Sequence, residues 1–366
     1  MKTFWRMVKH MIDVFKSSWP FPGLLKSKLR IFFLSRVLAK LQKRLKSWSR
    51  DHSGNVKNHI KQVKEKLWHA EKDSARFGDH EEVIRLKKEL NGLHDKEEKM
   101  WQQRSRVQWL KNEDQNTKFF PGTATQRKRK NFIKGLRDGN GIWQEDEEVF
   151  SVLLNDFYTN LFTSSNPQDL DRVLDGVNAV VTETMRVELD RPFTSEEVGE
   201  AIKGMAPLKA PGSDGMPPLF FQTYGTDIGM DVSQAVLSCL NSRSILRSIN
   251  HTFITLIPKV HNPERFSDFH PISLCNVIYK IISKVIANRL KPLLNSIISE
   301  TQSAFIADLL IIDNILIAFE SWHHVKNSCL GKKGFMAMKL DMSNAYDRVE
   351  WVFLEKILLK MGFSDT

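Results

Sequence analysis

Apolar residues along the polar stretch 38–106 fall at Val56, Ile60, Val63, Leu67 and Ala70, in alternating steps of four and three. That spacing keeps them on one stripe of a helix and turns the Lys- and Glu-rich residues between them to water. A second stripe runs through Val83, Leu86, Leu90 and Leu93, and Phe77-Gly78-Asp79 between the two breaks the pattern and supplies a turn. Residues 38–106 therefore read as two long helices in an antiparallel, coiled-coil-like hairpin, either a spacer or an arm for self-association through residues 54–104.

Beyond it, Arg137-Asp-Gly-Asn-Gly141-Ile-Trp143 predicts a tight turn between short strands, because Asp-Gly and Asn-Gly accept positive φ. Residues 147–162 predict an amphipathic helix. Residues 163–192 read as a loop-rich boundary, after which Thr194-Ser-Glu-Glu197 caps a new helix. The second half is more apolar, denser in Pro and Gly, and offers short strands at 253–257 and 336–340. The class is α+β. Four regions follow: a basic segment 1–37, the helical linker 38–106, a basic-aromatic linker 107–192 with hairpin and helix, and 193–366.

At 366 residues and 41% hydrophobic the chain can bury a sizeable core. Its net charge of +11 is concentrated at the front: residues 1–50 hold 13 Lys/Arg and one acid, residues 51–150 hold 21 against 18, and the remainder 20 against 24. Such an excess attracts polyanions, whether nucleic acid or an anionic membrane face. The first 40 residues, with Asp13 as their only acid, also fit a transit peptide or a membrane-surface helix. No apolar run reaches the roughly 18 residues of a membrane span, so the expectation is an intracellular protein with no membrane partner, the nucleus being one compartment that fits. Cys239, Cys275 and Cys329 fit neither a zinc motif nor a disulfide framework and read as buried thiols.

Several stretches could carry chemistry. Trp101, Arg104, Arg106 and Trp109, then Lys118-Phe119-Phe120, then Arg127-Lys128-Arg129-Lys130 interleave aromatics with cations. They either stack on bases and neutralise phosphates, or form a small core beside a solvated run or nuclear address. In the helix expected at 279–291, Ile281, Ile282, Val285, Ile286 and Leu290 make an apolar face, and Lys280, Lys284, Asn288 and Lys291 the opposite one. That second face either tracks a nucleic-acid backbone or is simply solvated. The Ala210-Pro-Gly-Ser-Asp-Gly215 turn either lets amides approach phosphate or packs within the fold. Asp341, at the end of an apolar run, is either a ligand for a hard divalent cation or a helix cap.

Taken in order, Lys209-Ala-Pro-Gly212-Ser-Asp214-Gly215, His251-Thr-Phe-Ile-Thr-Leu-Ile-Pro258-Lys259, Asp268-Phe-His270-Pro271-Ile-Ser273-Leu-Cys-Asn276, Lys280-Ile-Ile-Ser-Lys284-Val-Ile-Ala-Asn288-Arg289-Leu, Gln302-Ser-Ala-Phe305, Asp313-Asn314-Ile and Asp341-Met342-Ser-Asn344-Ala-Tyr346-Asp347 resemble one family. It is the LINE-type (non-LTR retrotransposon) reverse transcriptase of plant type, and the likeness covers the fingers and first part of the palm over residues 195–366. Residues 101–162 resemble the linker that follows the endonuclease in the same polyproteins. The resemblance implies an RNA-directed DNA polymerase acting on an RNA template, a DNA primer and dNTPs. Mg²⁺ would be held by the catalytic Asp341 and the Met342 backbone carbonyl in a two-metal phosphoryl transfer. It implies nucleotide contacts at Lys259, His270, Asn344 and Tyr346, the last standing under the incoming sugar.

The sequence departs from that pattern where His270 replaces an arginine, Asn344 a lysine, Gly225 a tryptophan, and Ala307-Asp308-Leu309 a Pro-Gly-Arg. It contains no Asp-Asp pair. The expectation is thus a polymerase segment truncated within the palm, without thumb and inactive as it stands. The alternative is a non-catalytic nucleic-acid-binding or coiled-coil scaffold protein.

Overall fold

The computed structural model describes residues 27–48, 50, 56–78, 80–105, 119–302, 310–327, 336–342 and 345–366. Expectations resting on residues 1–26, 106–118 and 303–309, on Cys329 and on Asn344 lie outside them. In chain order the elements are α1 (Ser27–Trp48), α2 (Val56–Phe77), α3 (Glu81–Ser105), α4 (Phe119–Lys130), β1 (Leu136–Arg137), β2 (Trp143–Gln144), α5 (Glu147–Phe162), α6 (Leu170–Leu174), α7 (Glu183–Asp190), α8 (Ser195–Lys203), α9 (Pro218–Thr223), α10 (Gly225–Ser242), α11 (Arg247–Asn250), β3 (Thr252–Pro258), β4 (Phe269–Cys275), α12 (Val277–Leu290), α13 (Leu294–Ile297), α14 (Ile311–Asn327) and α15 (Trp351–Lys360). They fall into two compact units, one drawn from residues 36–150 and 252–274, the other from 1–35, 151–251 and 275–366.

In the first unit α2 and α3 form the expected hairpin. Ile60, Val63, Leu86 and Leu93 are buried between them, with Val56, Leu67, Ala70 and Leu90 packed alongside. Gly78 takes φ +74° at the turn, where its N–H reaches the Ser74 carbonyl at 2.9 Å. An L side chain resists that backbone conformation. β1 and β2 pair antiparallel with Leu136 opposite Gln144. Asp138 Oδ1 closes the turn between them by accepting the N–H groups of Asn140 and Ile142, each at 2.9 Å. Arg137 ties this small sheet to the connection between β3 and β4: its Nε donates to Glu264 Oε2 at 2.6 Å and its N–H to the Glu264 carbonyl at 2.8 Å.

The second unit is a helical core. Val198 and Ala201 of α8, Phe221 of α9, Val232, Ala235 and Val236 of α10, and Val277, Ile278, Ile281 and Val285 of α12 are almost wholly buried. Removing such side chains from water is worth roughly 1.5–3 kcal/mol each. α8 begins with the anticipated capping box: Thr194 accepts the Glu197 N–H, and the Glu197 carboxylate accepts the Thr194 N–H.

That carboxylate also meets Arg289, a guanidinium whose side chain is 3% exposed. Nε and Nη2 donate to Glu197, Nη1 to the Leu189 and Arg191 carbonyls, and Nη2 to the Pro192 carbonyl. All five donors of the guanidinium are therefore satisfied. The Phe193 ring lies 3.7 Å below it. One buried cation thus closes the end of α7, anchors the start of α8 and pins both to α12.

Residues 163–192 are loop-rich as expected, but they also carry the short helices α6 and α7, α7 behind a Thr182 cap whose oxygen accepts the Met185 N–H. One sequence expectation is corrected. Residues 336–340 are not a strand. Their alternating pattern is present, but strands exist through a partner's hydrogen bonds, and among the described residues no strand pairs with them. The class holds in coarse form: mostly helix, with two two-stranded sheets among the described residues.

Replacing Arg289 with Ala leaves three carbonyls unpaired and the Glu197 carboxylate held only by Arg191 and the Thr194 N–H, and is expected to destabilise the chain by about 3 kcal/mol in urea unfolding. Glu197 gives a pH test. Burial pushes its carboxyl up, but the Arg289 hydrogen bonds, the Thr194 N–H and the charges of Arg289 and Arg191 outweigh this and hold it below the usual carboxylate range. A depressed folded pKa stabilises above the unfolded value of about 4.5 and loses that contribution as pH falls through the folded one. The stability gap between wild type and Glu197→Gln should therefore be constant near neutrality and close in acid.

Candidate nucleic-acid interface and metal site

The Lys209-to-Gly215 turn is docked on the N-terminus of α12 by a single buried amide. Asn276 Oδ1 accepts the Asp214 N–H and the Ser213 hydroxyl, both at 3.1 Å, while Nδ2 donates to the Ser248 and Ile249 carbonyls at 3.0 and 3.1 Å. The approach is so close that a Cβ on Gly212 would lie 2.4 Å from the Asn276 nitrogen. Gly215, at φ +66°, completes the turn. Burial pushes the Asp214 carboxyl up against the pull of the Met216 and Val277 N–H groups and the Lys280 charge. Of the two readings for this turn, the geometry places its amides in packing, with the Asp214 N–H spent on Asn276.

On α12 the buried stripe is Val277, Ile278, Ile281, Ile282, Val285 and Arg289, while Ile286, expected within it, is 49% exposed. Lys280 is half-buried and its Nζ donates to the Ala210 carbonyl at 2.9 Å. Lys284 and Asn288 are also half-buried, and Lys291 is exposed at the helix end. Lys280 is thereby committed to holding the turn, which leaves this helix a shorter cationic face than its sequence suggests.

Lys259 and His270 lie in the other unit, on either side of the β3–β4 connection. Lys259 is exposed; its N–H reaches the Asp268 carbonyl at 2.7 Å and its ammonium the Ser267 carbonyl at 2.9 Å. His270 is exposed on β4 next to the buried Phe269. Asp268 fixes the connection through its Oδ2, which accepts the N–H groups of Glu264 and Arg265. Arg127, Lys128, Arg129 and Lys130 end α4, all exposed. Cations there are favoured by the negative end of the helix dipole, and residues 119–137 hold six Lys/Arg and no acid.

Asp341 and Met342 lie in an exposed segment without regular secondary structure, and Tyr346, 79% exposed, sits in the short 3₁₀ turn Ala345–Arg348. The turn is set beside α5, where the charge of Asp347 adds to burial in pushing the Tyr158 phenol up. Glu350, just ahead of α15, is gripped by Ser164 and Ser165: both hydroxyls and the Ser165 N–H donate to it, which holds its carboxyl below the usual range. Among the described residues no three Asp, Glu, His or Cys side chains converge on a position fit for a metal ion. The described residues therefore bring no cluster of three such ligands together around Asp341.

Residues 257–366 match the family model described as "Reverse transcriptase (RNA-dependent DNA polymerase)". The chain is also similar to the uncharacterized 149 kDa protein of transposon TX1 from Xenopus laevis, 27% identical over 284 residues. That alignment takes in 77% of this chain and 21% of the relative, so the chain spans about a fifth of the length of the protein it matches. Together these matches support a relation to the non-LTR retrotransposon reverse transcriptases. The family match includes Lys259, His270, α12, Asp341 and Tyr346, and leaves the Gly212 turn and the Arg127–Lys130 run outside it. Reverse transcriptases in general act on nucleic-acid templates and primers with nucleotide substrates. No helix among the described residues is long and apolar enough to cross a membrane.

Two residues that matter structurally, Arg289 and Asn276, received no role from the sequence, and Glu197 was legible only as the last residue of a capping box. Arg289 had a signal too: it follows Ile281 and Val285 at steps of four, and a charge on an apolar stripe implies a buried partner. Asn276 had none, because an amide reveals its partners only in three dimensions. Replacing Asn276 with Ala leaves two carbonyls and one N–H unsatisfied, at about 1–3 kcal/mol each when buried. The variant should melt at clearly lower temperature, whereas Ser213→Ala, which removes one hydroxyl, should melt near wild type.

Proposed function

We propose that the chain is a nucleic-acid-binding portion of a plant-type LINE reverse transcriptase, with residues 193–366 as its fingers and early palm, and that it does not extend primers by itself. The observation that carries the reading is the reverse transcriptase match over residues 257–366, together with the lack, among the described residues, of any cluster of three metal-ligating side chains. In the proposal Asp341 and the Met342 carbonyl are one side of a metal site that these residues alone do not complete. Lys259, His270, Asn344 and Tyr346 belong to the nucleotide side. Lys280, Lys284, Asn288 and Lys291, with Arg127, Lys128, Arg129 and Lys130, face template or primer. His270 weakens the nucleotide side, since a largely neutral imidazole lacks the bidentate phosphate grip of a guanidinium.

A second reading, a coiled-coil scaffold, is favoured by the well-packed α2–α3 seam. The two differ in their response to salt: binding to a primer-template should fall steeply with ionic strength, whereas helix-mediated self-association through residues 54–104 should change little.

Primer extension on an RNA template with Mg²⁺, comparing the purified chain with Asp341→Ala, is expected to give no product from either, while both retain salt-sensitive binding to the primer-template. Product that disappears on mutation would overturn the inactive reading and establish Asp341 as catalytic.

A further inference from the structure

Lys57, Lys61, Lys64, Trp68 and Lys72 succeed one another at steps of four, three, four and four. They therefore share a face of α2, turned away from the side that Ile60, Val63 and Leu67 present to α3. All five are exposed, and Trp68 keeps 59% of its surface in water. Among the described side chains of α2 it is the only large apolar one left so open. The core does not use it.

The ring is nonetheless held. The Lys72 ammonium lies 5.3 Å from its centroid and the His69 ring meets it edge-on at 4.8 Å. Lys57 stands 5.7 Å from the Trp101 ring at the other end of the stripe. The nearby acids offset only part of the charge. Glu65 lies 4.0 Å from Lys61, and Glu71 is turned to Lys87 of α3 at 3.0 Å. Lysines four residues apart are separated by about 6 Å along the axis, so the stripe is a row of cations roughly 20 Å long interrupted by one oriented aromatic face.

We propose that this face of α2 binds single-stranded nucleic acid, with Lys57, Lys61, Lys64 and Lys72 on successive phosphates and the Trp68 indole stacked on a base. Cations to neutralise the backbone plus an aromatic platform for a base is the chemistry of sequence-tolerant single-strand binding. A docked protein helix would call for a continuous apolar stripe, and among the described side chains of α2 Trp68 has no second exposed apolar residue beside it. The site lies outside residues 257–366 and is independent of whether the polymerase segment is active.

The test uses the full chain and fluorescein-labelled oligo(U) and oligo(dT), with anisotropy measured over a series of salt concentrations. The triple variant Lys61→Ala/Lys64→Ala/Lys72→Ala is expected to flatten the dependence of log affinity on log salt by about two units of slope, three contacts at ~0.7 each. Trp68→Ala is expected to weaken binding by about tenfold and Trp68→Phe far less, since a phenyl ring still stacks. Helicity by circular dichroism should be unchanged in all three, because none of these side chains is buried. Tighter binding to one of the two oligonucleotides identifies RNA or DNA as the ligand. Unaltered slope and affinity in the variants overturn the proposal, as does a wild-type chain that binds neither oligonucleotide. Loss of self-association in Trp68→Ala with oligonucleotide binding intact would also overturn it and make the stripe a protein contact.

Discussion

The helical core of the second unit depends on placing a full positive charge where water does not reach. Arg289 sits on the buried face of α12, and an unpaired guanidinium there would cost several kcal/mol. The fold meets this demand by bringing Glu197 and the carbonyls of Leu189, Arg191 and Pro192 to one point. Those partners come from separate elements, so the requirement fixes their relative positions. Apolar packing of Val198, Val236 and Ile281 supplies the larger share of the stability but tolerates small slides. A guanidinium with every donor assigned does not.

The same device recurs at the other end of α12. Asn276 there uses both ends of its amide, accepting the Ser213 hydroxyl and the Asp214 N–H on one side and donating to the α11 carbonyls of Ser248 and Ile249 on the other. Lys280, one turn later, takes the Ala210 carbonyl. α12 is thus tied by polar joints at both termini and buried apolar residues between. This explains why a helix that reads as amphipathic with a free cationic face presents only part of that face to solvent. Groups that look available for a polyanion are available only if the fold has not already spent them.

Much of this was legible beforehand, and where it was not the cause is physical. Local periodicity located α2, α3, α5 and α12, and turn chemistry located Gly78 and the Asp138–Gly141 turn, because those features are set by residues within a few positions of one another. The capping box of α8 was legible for the same reason. The strand expected at 336–340 failed because alternation is a property of the segment, whereas a strand is a property of a pair. α6 and α7 were missed since short helices carry little periodic signal. In the candidate site, the family motifs pointed to Asp341, Lys259, His270 and Tyr346, yet their geometry depends on long-range closure that local pattern cannot report.

That closure bears on where nucleic-acid affinity can come from. Leu310, Ile312, Ile315, Leu316, Phe319 and Trp322 of α14 and the residue before it, with Met336, Met338 and Leu340, are each more than half exposed, far more apolar surface than a settled fold leaves in water. Residues 151–366 carry 20 Lys/Arg against 24 acids, and Lys280 is already committed within them. A weakly acidic segment does not draw a polyanion over distance. In the proposed reading, long-range attraction would then originate in the basic front of the chain, and residues 151–366 would act at contact, through individual cations such as Lys259 and Lys291. On that reading binding and chemistry fall on different stretches of sequence, and loss of one need not abolish the other.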